Sequence, residues 1–77
     1  MKKVNIKLSA IADIRNFVDI ATKYPNDIDL SSGRYIVDAK SIMGIFSLDL
    51  MQPIELTAHG EDTDKLFEDL ADYIIKE

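Results

Sequence analysis

The chain has no cysteine, which excludes a disulfide framework and any thiolate metal site. It also has only one histidine, too few for the usual zinc or nucleophile–base constellations. A glycine-rich phosphate loop and a nucleophile elbow are both missing. The acidic run Glu61, Asp62 and Asp64 lacks the alternating spacing, glycine and terminal glutamate of a calcium loop. No enzyme site, metal or cofactor is therefore expected. Basic charge is scarce, with nine Lys plus Arg against fourteen Asp plus Glu and a net charge of −5. A nucleic-acid partner is not expected, because clustered cations are needed to displace phosphate counterions. No apolar run approaches the roughly 20 residues that span a bilayer. Met1-Lys2-Lys3 leads into alternating rather than continuous apolar residues, unlike a signal peptide. These absences lead to the expectation of a cytoplasmic protein without membrane insertion. With no repeat, linker or low-complexity segment, residues 1–77 read as a single domain.

What the chain does have is 47% hydrophobic residues in readable periods. Val4, Ile6 and Leu8 alternate with Lys3, Asn5 and Lys7, which predicts a half-buried strand over Lys3 to Leu8. Ser9 is the expected cap of a helix whose stripe is Ile11, Ile14, Val18 and Ala21, widened by Phe17 and Ile20. Pro25-Asn26-Asp27 breaks it after about Tyr24. Ile28 to Leu30 and Arg34 to Asp38 predict a hairpin around Ser31-Ser32-Gly33. Ser41 is the expected cap of a helix of two turns at most, with Ile42, Ile45 and Phe46 on one face. Ile54, Leu56 and Ala58 alternate with Glu55, Thr57 and His59 after Pro53, predicting a fourth strand. A last helix follows the acidic start at Glu61, with Leu66, Phe67, Leu70, Ala71 and Ile74 as its stripe. The order β-α-β-β-α-β-α indicates an α+β open-faced sandwich: one four-stranded antiparallel sheet carrying three helices on one face.

The segment Lys40-Ser41-Ile42-Met43-Gly44-Ile45-Phe46-Ser47-Leu48 strongly resembles HPr, the histidine-containing phosphocarrier family of the bacterial sugar phosphotransferase system. Asp27-Ile28-Asp29-Leu30, Ile36-Val37-Asp38-Ala39, Pro53 to Ala58 and the final helix follow the family's order too, so the resemblance covers nearly the whole chain. It implies that Ser41 is the serine phosphorylated by HPr kinase, and that the outward residues of the second helix dock partners. Lys40, Ile42, Met43 and Phe46 are then the expected contact residues. HPr kinase, a transcriptional regulator and phosphotransferase-system proteins are the expected partners. The cap and phosphosite readings of Ser41 are compatible, since added negative charge at a helix amino end agrees with the dipole.

A second family signature is absent. HPr proteins open their first helix with a Gly-Ile-His-Ala-Arg-Pro-type segment whose imidazole carries the phosphoryl group. Here the stretch reads Ser9-Ala10-Ile11-Ala12-Asp13-Ile14-Arg15. Ungapped counting back from Ala21-Thr22-Lys23-Tyr24 puts Ala10 at the place of the phosphoacceptor, and Arg15 is out of register with the family arginine. A methyl group cannot accept and release a phosphoryl group. The expectation is an HPr-like regulatory or protein-binding module, like the catabolite-repression paralogue of the family. Two alternatives stand beside it: a phosphocarrier in sugar transport using a non-standard acceptor such as His59, and a degenerate HPr-fold scaffold with another partner. No surrounding motif supports His59, which reads as a surface histidine at a strand end.

Overall fold

In β1 (Lys2–Ile6), Val4 and Ile6 face inward while Lys3 and Asn5 face outward, as period-two alternation requires. The computed structural model describes residues 2–75. The strand stops two residues earlier than its sequence pattern, yet Leu8 is still fully buried in the connection that follows. Next comes α1 (Ile11–Thr22), which buries Ile14, Phe17 and Ala21. Ile11, expected on the buried stripe, is the first residue of the helix and is 65% exposed.

The hairpin pairs β2 (Ile28–Ser32) with β3 (Tyr35–Asp38) through a two-residue turn at Gly33 and Arg34. Gly33 has φ +60, the positive value that a tight hairpin demands at its first turn position. Then α2 (Ile42–Phe46) follows β3 closely, and β4 (Ile54–Ala58) enters the sheet between β1 and β2. The strand order is β1-β4-β2-β3, antiparallel throughout. Val4, Leu56, Leu30 and Val37 form one row across all four strands on the helix-facing side. Lys3, Thr57, Asp29 and Asp38 form the adjacent row on the open side. This division of faces is what an antiparallel sheet with one wetted side shows.

The last helix is shorter than its apolar spacing suggested. It runs as α3 (Asp64–Asp69), followed by a 3₁₀ turn over Ala71–Tyr73 that leaves Ala71 exposed. Ile74 then pairs with Ile6, the Lys7 amide donates to the Tyr73 carbonyl at 2.9 Å, and the Ile75 amide donates to the Asn5 carbonyl at 2.9 Å. The outer edge of β1 thus takes the backbone groups that a continued helix would have used. Phe17 and Tyr73 meet edge to face at 6.0 Å, fixing this turn over α1. Leu66 and Leu70 are fully buried in the same core as Ile6, Phe17, Ile45 and Leu56. No described polar or charged residue is buried, so apolar packing is the main source of cohesion.

Candidate functional site

The turn from β3 into α2 places Ser41. Ala39 is fully buried, and its amide donates to the Ile28 carbonyl at 2.9 Å, anchoring the chain just after β3. The Asp38 carbonyl then accepts the Ser41 amide at 3.0 Å, and the Asp38 carboxylate accepts the Lys40 amide at 2.8 Å. Ser41 has extended dihedrals, φ −108 and ψ 105, and its Oγ accepts the Gly44 amide at 3.2 Å. That is N-cap geometry, as the sequence led one to expect. The hydroxyl is nonetheless on an exposed residue at the protein surface.

Lys40 is held in another direction. Its Nζ donates to the Tyr24 carbonyl just beyond α1, at 2.7 Å. It therefore ties the start of α2 to the segment just after α1, through a carbonyl one residue beyond the helix's C-cap.

The five residues of α2 divide by exposure. Ile45 is fully buried and Ile42 is half-buried against the core, whereas Met43 is 74% and Phe46 44% exposed. A short amphipathic helix cannot cover all four side chains, and two are left in water. Ser47 Oγ donates back to the Met43 carbonyl at 3.4 Å, so its hydroxyl is occupied within the helix turn. Met51, in the loop before β4, is the most exposed large apolar side chain among the described residues, at 81%. The sequence signal for it is an apolar residue in a loop with no periodic partner.

At the amino end of α1 the N-cap is Ala10 rather than Ser9. Its methyl group caps nothing; instead the Asp13 carboxylate reaches back to accept the Ala10 amide at 3.2 Å and the Ser9 amide at 3.4 Å. This is the returning half of a capping box, with the acid at the third helical position. A carboxylate thus occupies the helix end, and no imidazole is near it in sequence.

His59 lies just past β4, on the side of the sheet away from the helices. Its Nε2 is 2.9 Å from Asp29 Oδ2, its amide donates to the Asp27 carbonyl at 2.9 Å, and its carbonyl accepts Asn26 Nδ2 at 2.9 Å. It is half-buried and bonded, not a free surface side chain. Asp27, Asp29, Asp38, Lys40 and His59 line one open depression. Among the described residues, no group of three or more histidine or carboxylate side chains is arranged to hold a metal ion. No helix of the described residues is long and apolar enough to cross a membrane.

The family model described as the phosphorylation site of the phosphotransferase-system HPr component matches residues 12–76. The HPr-like protein Crh of Bacillus subtilis is 36% identical over 81 aligned positions, covering 99% of this chain and 95% of that protein. Among solved structures, HPr-C-His from Thermoanaerobacter tengcongensis superposes with a TM-score of 0.80 at 33% identity, covering 94% of this chain and 89% of that one. The phosphocarrier protein HPr from Bacillus anthracis superposes at 0.73 with 32% identity, covering 96% and 94%.

Proposed function

The chain belongs to the HPr family, whose members are phosphocarriers and regulators rather than catalysts, and we propose that within it this protein is a regulatory, partner-binding member. In this reading it carries no phosphoryl group on histidine and is phosphorylated at Ser41 by an HPr kinase. The observation that carries the proposal is the pairing of an exposed N-cap hydroxyl at Ser41 with the exposed Met43 and Phe46 on the same short helix. A phosphate on Ser41 adds about −1.5 to −2 charges beside that apolar pair. Lys40, Ile42, Met43 and Phe46 form the contact set, with Met43 and Phe46 supplying exposed apolar area and Ile42 and Lys40 fixing the helix beneath them. Partners are an HPr kinase, a transcriptional regulator or phosphotransferase-system proteins.

Loss of the carrier role is supported at the other helix. Ala10 supplies no nucleophile, and the Asp13 carboxylate sits on the amides at the amino end of α1. Its negative charge opposes a phosphoryl group there. Paired incubations test the reading: kinase with ATP adds one phosphate, and Enzyme I with phosphoenolpyruvate adds none. An acid-labile phosphate from Enzyme I would overturn it.

A further inference from the structure

The two edges of the sheet are finished differently. The edge of β1 is covered by the returning Tyr73–Ile75 segment, whereas β3, at the other edge, has no described strand beside it. Natural sheets blunt an open edge with proline, a bulge or an inward charge. β3 is short, at four residues ending on Asp38, but it has no proline, bulge or inward charge: its register with β2 runs without a break from Tyr35 to Asp38, and its first three residues are Tyr35, Ile36 and Val37. Tyr35 is 67% and Ile36 72% exposed, the largest apolar exposure on any strand.

The hydrogen-bonding directions follow from the hairpin. Residues flanking a two-residue turn exchange both their backbone bonds, so Tyr35 and Val37 are directed at β2, and the Ala39 amide continues the alternation by donating to Ile28. The N–H and C=O of Ile36 therefore face outward. The side chains of Ile36 and Asp38 share the open face of the sheet, because they are spaced by two within the strand, and Arg34 stands two residues before Ile36 in the exposed turn.

Read in either direction around Ile36, this strip is self-complementary. Two antiparallel copies centred on Ile36 place each Ile36 opposite the partner's Ile36, each Arg34 opposite the partner's Asp38, and each Asp38 opposite the partner's Arg34. Arg34 makes no ion pair among the described residues. Matching of this kind is what a two-fold interface requires. We propose that β3 is a self-association edge, through which two copies of this chain form a weak, two-fold dimer with a continuous sheet. The contact is short, which puts it among transient interfaces. It does not depend on the Ser41 reading, although Asp38 also accepts the Lys40 and Ser41 amides where α2 begins.

Sedimentation velocity of the full chain over a concentration series provides the test, with thermal melts confirming that each variant is folded. The wild type shows concentration-dependent dimer. Ile36→Asp, which sets like charges face to face at an exposed position, loses it. Arg34→Asp and Asp38→Lys each weaken the dimer by about tenfold or more through two like-charge pairs. Mixed together, the two variants associate again: the introduced aspartate of one copy meets the introduced lysine of the other, and the Asp38 kept by the first meets the Arg34 kept by the second. A wild type that stays monomeric at the highest concentration overturns the proposal. A dimer fraction unchanged in Ile36→Asp and Arg34→Asp also overturns it, since association would then use another surface.

Discussion

Ser41 and Gly44 are locked together at the start of α2: the Ser41 oxygen accepts the Gly44 amide at 3.2 Å, and a Cβ built on Gly44 would stand 3.3 Å from that oxygen and 3.2 Å from Val37 Cβ. The cap, the helix and β3 are in close contact at this point. The proposed phosphosite therefore sits on a rigid turn, although its hydroxyl is exposed.

Cap and phosphosite separate by mutation. Ser41→Ala removes both, and costs about 1 kcal/mol of folding stability. Ser41→Asp keeps a capping oxygen and should remain within a few tenths of wild type, since Asp and Ser cap about equally well. Denaturant midpoints rank the three proteins; equal midpoints for Ser41→Ala and wild type would remove the cap from the account.

Substitutions at Met43 should change binding without changing the fold. The residue is 74% exposed, so Met43→Asp should shift stability by no more than about 0.5 kcal/mol while reducing binding to HPr kinase. Calorimetric titration beside a denaturation curve checks both halves. Unaltered kinase affinity would place the docking surface elsewhere.

The core behaves in the opposite way. Leu70 is fully buried where α3 gives way to the 3₁₀ turn, and Leu70→Ala should cost about 2 to 5 kcal/mol. In a small domain without staples that is a large share of the total. An unchanged urea midpoint would contradict its place in the core.

Tyr24 offers a pH-dependent readout. Its phenol donates to the Asp69 carboxylate, and that bond, aided by desolvation and the negative charges of Asp69 and Glu68, raises its pKa above the ordinary 10.0. The folded state then holds this proton more tightly than the unfolded state. The contribution is present below pH 10 and is lost as pH rises from there through the raised value. Asp69→Asn should bring the Tyr24 titration back down, as followed by NMR of the phenol ring, and identical curves in the two proteins would exclude the bond.

Local chemistry made much of this legible. The alternation of Ile54, Leu56 and Ala58 marked β4, and Ser41 before a short apolar run marked α2 and its cap. The surplus of apolar residues on α2 also implied that some would stay in water, as Met43 and Phe46 do. What escaped depended on distant partners. The end of α3 is decided by the edge of β1, which claims Tyr73 and Ile75. The cap of α1 comes from Asp13 reaching back, although Ser9 looked the better candidate. The Asp29 partner of His59 follows from the pairing of β2 with β4.

The central claim is that Ser41 is the regulated group, and intact mass after incubation with HPr kinase and ATP tests it most directly. The account predicts a gain of one phosphoryl group in the wild type and none in Ser41→Asp, whose fold and cap are retained. No gain in the wild type, or an equal gain in Ser41→Asp, would contradict it.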